Sequence, residues 1–209
     1  YTCEPWGAPV NGQCEICNDQ EGIPCSEYRC RALGEGCEYY TGLGEPGYCA
    51  SAGHVGAARI TPWEEALTEG HEYTNVGELQ MEIVRGGGPL EPFVGINFGV
   101  ETDVAASCRI GTENAEDFGS LGFEMVVDPD SPRTKHKVSL SPHVGNINLE
   151  EDEVEEDLDG EQDSGGFGTL PLQVGETNRY FIKCENFAGI VNDAAFVVEV
   201  EVGEGPDLT

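Results

Sequence analysis

The densest group of metal-ligating atoms in this sequence is an acidic run, in which ten of the fourteen residues from Glu150 to Asp163 are carboxylates. Asp157, Asp159, Glu161 and Asp163 alternate around Gly160, so their oxygens have the close spacing that suits a hard cation such as Ca²⁺. The EF-hand pattern fails, because Gly160 stands at the wrong place and no acidic residue occupies the twelfth position. A like-charged run of this length is typical of a solvated loop. We expect such a loop, with calcium at these four residues as the alternative.

A second set, His54, Asp103 and Ser164, follows the order of a trypsin-like serine protease. There the aspartate orients the histidine, the histidine activates the serine, and backbone amides bind the oxyanion. The barrel of such a protease needs strands before the histidine, but a Cys-rich segment occupies that place. Ser164 also ends the acidic run, whose carboxylates would repel a developing oxyanion. We therefore expect that the protein is not an enzyme.

The nine cysteines could bind a metal or form disulfides, and seven of them lie in the first fifty residues. Cys14, Cys17, Cys25 and Cys30 offer four thiolates for zinc, although only one of the two pairs has the tight spacing of structural sites. A secreted chain with further cysteines nearby favours disulfides. Seven is an odd number, so one cysteine has no partner within this segment. The predicted disulfide cysteines are Cys3, Cys14, Cys17, Cys25, Cys30, Cys37, Cys49, Cys108 and Cys184.

The two tryptophans and four histidines carry weaker signals. Trp6 and Trp63 could stack on a sugar, but a lone tryptophan is more often a core residue. The histidines are scattered without the paired spacing of a metal site, at His54, His71, His136 and His143. Glycan binding is therefore an alternative, kept beside calcium binding.

The charge of the chain excludes several partners. Forty acidic residues face ten basic ones, for a net charge of −30. Such a field repels nucleic acid and anionic lipid, and no run of 18 apolar residues exists to span a bilayer. Because salt screens self-repulsion, the charge favours a halophilic source. The start at Tyr1 and the final Gly205–Thr209 predict a mature, secreted module of a longer protein.

Period-two alternation of apolar and polar residues dominates after residue 50 and predicts an all-β fold. About seven short strands separated by Gly, Pro and Asp turns are typical of an antiparallel, immunoglobulin-like β-sandwich. Cys108 and Cys184 lie on two of these strands, so we expect a bridge within the sandwich. The strongest segments are 79–83, 94–100, 106–110, 123–127, 137–141, 180–184 and 196–202.

The N-terminal segment differs in composition, so two domains are predicted. Residues 1–50 have many turn residues and little periodic pattern, and a segment of this kind needs disulfides to hold its shape. We expect a small Cys-rich module there, with at most a turn or two of helix at Ser26–Leu33. Residues 51–209 form the predicted sandwich.

Two motifs carry a family resemblance. The run from Cys25 to Cys37, Cys-Ser-Glu-Tyr-Arg-Cys-Arg-Ala-Leu-Gly-Glu-Gly-Cys, resembles a motif of large secreted surface proteins from small-genome symbiotic archaea. The second half is similar to an immunoglobulin-like or fibronectin-III-like repeat. The positions that match the repeat are Cys108-Arg109, Met125, Tyr180, Cys184-Glu185 and Ala188-Gly189, with Pro206–Thr209 similar to a joint between repeats.

This resemblance implies a structural or adhesive protein. Family members are adhesins, surface arrays or filament subunits without catalysis, so the expected partner is a second copy of the chain or another cell surface. Assembly by strand addition would use either the apolar C-terminal strand or the Tyr1–Val10 arm. No cofactor is expected apart from calcium as the alternative.

Overall fold

The computed structural model describes residues 13–18, 23–43, 47–52, 56–131, 133–142 and 169–204. Several predicted site residues lie outside these ranges, namely Cys3, Trp6, His54, His143, Ser164 and the four acidic residues at 157, 159, 161 and 163.

The described residues of the N-terminal part include a short α-helix and a hairpin. Helix α1 (Glu27–Leu33) begins after Ser26, whose hydroxyl accepts the N–H of Arg29 at 3.4 Å. Strands β1 (Cys37–Tyr40) and β2 (Tyr48–Ser51) pair antiparallel. The helix predicted at Ser26–Leu33 is thus confirmed.

Six cysteines form the buried core of this part. They pair as Cys14–Cys37, Cys17–Cys25 and Cys30–Cys49. Leu33 and Tyr39 pack against them. Since the cluster contains few other apolar side chains, the disulfides replace a conventional hydrophobic core.

The remaining strands form two larger sheets. One has the order β11-β10-β6-β3, with β9 beside β10, and the other has the order β4-β5-β13-β12-β7-β8. Short 3-10 helices span Cys14–Cys17, Glu64–Ala66 and Phe118–Ser120. The strands are β3 (Ile60–Pro62), β4 (Glu72–Thr74), β5 (Gln80–Val84), β6 (Ile96–Thr102), β7 (Ala106–Gly111), β8 (Phe123–Glu124), β9 (Val126–Val127), β10 (Lys135–Pro142), β11 (Thr169–Leu172), β12 (Thr177–Asn186) and β13 (Phe196–Glu201).

Alternate side chains of both sheets enter one hydrophobic core, as the period-two pattern predicts. In β13, Phe196, Val198 and Val200 are at most 1% exposed, while Glu199 and Glu201 face outward. Strands β5, β6, β7, β10 and β12 contribute to the same core in the same way. The all-β prediction is therefore confirmed, and each long predicted segment overlaps an observed strand.

The predicted strand 123–127 is two strands in different sheets. Phe123–Glu124 pairs with β7 in the six-stranded sheet, and Val126–Val127 pairs with β10 in the other. Met125 between them is 2% exposed and lies in the shared core. The chain crosses from one sheet to the other at this residue, a change that alternation alone does not reveal.

Most strand pairs are antiparallel, as predicted, but each of the two larger sheets also holds one parallel pair. Strand β10 pairs parallel with β11, and β5 pairs parallel with β13. Parallel neighbours need a long connection, which residues 143–168 and 85–195 allow. Sequence alternation gives strand positions but not their relative direction.

The predicted bridge between Cys108 and Cys184 is present, within one sheet. The two residues lie opposite each other on β7 and β12, with a Cα–Cα distance of 4.0 Å. The characteristic bridge of immunoglobulin domains instead joins two sheets. The disulfide thus fixes the pairing of neighbouring strands, and the immunoglobulin-like assignment stays a prediction.

An aromatic cluster joins the hairpin to the larger sheets. Phe187 packs edge-on against Tyr40 and stacks with Tyr48, at ring-centroid distances of 4.8 and 5.2 Å. Ala50 and Ala105 are buried in the same cluster. The predicted boundary at residues 50 and 51 falls inside β2, and the division into two domains stays a prediction.

His136 is a polar residue on the core face of β10. Its side chain is fully buried, and neither ring nitrogen has a hydrogen-bond partner among the described residues. Burial lowers the pKa of the imidazole to about 4. The Arg133 backbone partly opposes this lowering, and the positive charge of Arg133 adds to it. The fold therefore accepts only the neutral imidazole.

Acid should destabilise the protein through this histidine. The folded pKa is near 4 and the unfolded value near 6.5, so the stabilisation is complete above pH 6.5 and is lost as the pH falls toward 4. Between pH 7 and pH 5 we expect His136 to account for a loss of about 2 kcal/mol in unfolding free energy. Urea unfolding of the wild type and of His136→Leu at both pH values measures this loss. An equal pH dependence in the two proteins would contradict the assignment.

Candidate functional site

Of the three residues that follow the serine-protease order, Asp103 is the one that lies among the described residues. Its carboxylate accepts the N–H of Arg59 at 2.8 Å, and its own N–H donates to the Arg59 carbonyl at 3.3 Å. These bonds tie the chain before β3 to the end of β6. Asp103 thus has a structural role here, and the other two residues of the arrangement, His54 and Ser164, lie outside the described residues.

The cysteines proposed as zinc ligands are all oxidised. Cys14, Cys17, Cys25 and Cys30 belong to the three N-terminal disulfides. Three sulfurs, of Cys17, Cys25 and Cys49, lie within 4.8 Å of one another, but each is already bonded. A disulfide offers no thiolate to zinc, so the zinc alternative does not fit this arrangement.

Trp63 does not present a free ring face for a sugar. The Lys135 ammonium lies 5.0 Å from the ring centroid on the outside. A Cβ added to Gly99 would come within 2.7 Å of the Trp63 ring, so the ring rests on the backbone of β6. Trp63 is 7% exposed, so its ring has no open face on which a sugar could stack, as the glycan alternative would require.

An open groove of about 860 Å³ lies beside β3. Ile60 and Pro62 of β3 form one side, Val76 and Leu79 form the other, and Phe196 of β13 lies at its base. Val76 and Leu79 are 54% and 48% exposed. We call this surface the β3 groove. Polar and apolar groups contribute about equally to its lining, which holds one basic and one acidic residue, Arg59 and Glu78.

The backbone of β3 has hydrogen-bonding groups that point into the open side. The Trp63 N–H donates to Gly99, and the Asp103 N–H donates to Arg59, so residues 59, 61 and 63 face β6. In an antiparallel pair the intervening residues face away. Ile60 therefore directs its N–H and carbonyl away from β6, at the edge of the five-stranded sheet.

Two asparagines, Asn186 buried and Asn192 half-buried, hold the chain that leads into this edge. The Asn192 side chain donates to the Ala58 carbonyl at 2.7 Å and accepts the Cys184 N–H at 3.0 Å. Asn186, 1% exposed, donates to the Gly56 carbonyl at 2.6 Å and accepts the N–H groups of two residues in the following turn. Each side chain thus joins the start of the β3 strand to the six-stranded sheet.

Sequence reasoning did not identify the groove or its asparagines. Strand β3 is three residues long and contains a proline, so it has no alternating pattern to find. The Asn-x-x-x-x-x-Asn spacing of residues 186 and 192 resembles an ordinary turn. Their role depends on contacts with residues about 130 positions earlier in the chain.

No protein-family model matches this chain, and neither a curated protein nor a solved structure matches it. Among the described residues, no helix combines the length and apolar character that crossing a bilayer requires.

Removing the Asn192 side chain should destabilise the region of the groove. Asn192→Ala leaves the Ala58 carbonyl and the Cys184 N–H without their partner, so we expect a loss of about 2–4 kcal/mol in unfolding free energy. Asn97→Ala is the matched control, because Asn97 is exposed and its side chain accepts one hydroxyl bond from Ser139. Chemical denaturation of both variants makes the comparison. Equal losses would show that the Asn192 contacts do not stabilise the fold.

Proposed function

We propose that this protein is an extracellular structural or adhesive module that assembles with copies of itself into a cell-surface filament or array. Its location would be outside the cell, and it would act without catalysis. The observation that carries this proposal is the core of the N-terminal part, which consists of six paired cysteines. A core of this kind persists only where the environment is oxidising.

The larger sheets fit the same role. The Cys108–Cys184 disulfide closes a sequence separation of 76 residues, and loops of this length gain the most from a cross-link in the chain-entropy description. Together with one shared core, the disulfide favours a body that keeps its shape outside the cell. A two-sheet body also presents loops and edges for contact with a neighbour.

The archaeal surface-protein resemblance supports the proposal from the sequence. The Cys25–Cys37 motif that carries it spans α1 and the start of β1, with Cys25, Cys30 and Cys37 in three different disulfides. Residues of the repeat-like motif, Met125, Tyr180 and Cys184, are buried in the shared core. We propose an immunoglobulin-like module of a halophilic archaeal surface protein. No contact in the described residues favours the calcium or glycan alternative over this one.

Assembly can be measured on the oxidised full chain. With a net charge of −30, copies repel one another in dilute buffer, and salt of about 1 M shortens the Debye length to about 3 Å. We expect sedimentation to show monomers at low salt and regular polymers at high salt, with filaments or sheets visible by electron microscopy.

A reduced sample is the control, because reduction breaks the disulfides of the N-terminal core without changing the net charge. Monomers at every salt and protein concentration would contradict a self-assembling module. Polymers of the same form from the reduced chain would contradict the role given to the disulfides.

A further inference from the structure

We propose that the β3 groove is the acceptor site for residues Tyr1–Val10 of a second copy, which add as an extra strand beside β3. This inference rests on the proposed self-assembly and names its contact. It assigns the groove, the strand that enters it and the register of side chains.

The acceptor side has the two features that strand addition needs. Ile60 directs its N–H and carbonyl away from β6, so the backbone of an incoming strand has partners. Beside this edge, Val76 and Leu79 expose apolar surface that the side chains of that strand would cover. Pro62 has no N–H and the Ala58 carbonyl is already bonded to Asn192, so pairing centres on Ile60.

The Tyr1–Val10 arm has a matching alternation. The even-numbered residues Trp6, Ala8 and Val10 are apolar, and they alternate with the odd-numbered residues Pro5, Gly7 and Pro9. In a strand, residues of one parity direct their side chains to one face and their backbone groups to one side. If the arm adds antiparallel to β3 with Trp6, Ala8 and Val10 facing the groove, the backbone groups of these three residues point toward β3. Both prolines then direct their missing N–H away from β3.

The other candidate strand is already in use. The C-terminal strand β13 lies between β5 and β12 in the six-stranded sheet, with ladder hydrogen bonds on both sides. Removing it from its own sheet would expose Phe196, Val198 and Val200, so it is not available for exchange. Of the two segments suggested by the sequence, the N-terminal arm remains.

Charge favours an arm over contact between whole surfaces. Two bodies of net charge −30 repel each other when their faces approach. The arm carries one carboxylate, Glu4, and the groove lining has one residue of each sign. An arm in the groove thus joins two copies through surfaces of low net charge. Since arm and groove are different surfaces, one arm in one groove is a head-to-tail contact, which can repeat from copy to copy.

Four single substitutions in the full chain test both sides, with Cys3→Ser throughout so that Cys3 cannot cross-link two copies. On the arm, Ala8→Asp places a carboxylate in the groove, and Gly7→Asp is the control that directs the same group outward. On the groove, Val76→Glu adds a charge to the rim. Val94→Glu is its control, because Val94 is also exposed but does not line the groove.

At high salt we expect Ala8→Asp and Val76→Glu each to weaken assembly more than about tenfold, since an unpaired charge is costly to bury. The two control variants should assemble like the parent. A mixture of the Ala8→Asp and Val76→Glu chains should form 1:1 dimers that grow no further, because one chain retains its groove and the other its arm. Sedimentation measures all three results.

The outcomes separate this inference from the proposed function. If the parent assembles and Ala8→Asp and Val76→Glu assemble equally well, the groove inference is wrong while self-assembly stands. If both variants fail but their mixture stays monomeric, exchange between copies is wrong. If the parent itself never assembles, the proposed function fails, and the inference fails with it.

Discussion

The disulfides are the interaction on which the rest of this structure depends. In the N-terminal part they are the core itself, and Leu33 and Tyr39 are the further apolar partners among the described residues. Each cross-link restricts the unfolded chain and contributes about 2–5 kcal/mol in small secreted domains. Without them the β1–β2 hairpin has little to pack on, and the aromatic cluster around Phe187 would lose the two tyrosines that this hairpin supplies.

Burial, more than charge pairing, stabilises the larger sheets. Four ion pairs are formed among the described residues, and all four have partly exposed side chains. Exposed pairs contribute about 0–1 kcal/mol each, so they offset little of the repulsion within a chain of net charge −30. The core shared by the two sheets, with the Cys108–Cys184 link between β7 and β12, must therefore hold the fold together. Burial also explains why His136, whose ring nitrogens have no hydrogen-bond partner in the described part of the chain, is tolerated only while it is neutral.

Much of the fold could be predicted where local sequence carries the physical signal. Alternation located β13, β12 and β7, because each buries one face, and the helix predicted at Ser26–Leu33 coincides with α1. Strands β3 and β4 are three residues each and too short for a period to appear. Parallel pairing, the change of sheet at Met125 and the two asparagine contacts depend on distant parts of the chain. The β3 groove results from those contacts, so it could not be predicted from the sequence. The Tyr1–Val10 arm that is proposed to fill it could be identified as a candidate strand.

A β-sheet protein cross-linked in this way can expose one strand edge without losing its own sheets, and that property makes it suitable as a repeating unit.

The central claim is the pairing of eight oxidised cysteines. Mass spectrometry of a proteolytic digest of the native protein, with free thiols blocked and no reductant, tests it most directly. The account predicts linked peptides for Cys14–Cys37, Cys17–Cys25, Cys30–Cys49 and Cys108–Cys184. Blocked thiols at these positions, or any other set of partners, would contradict it.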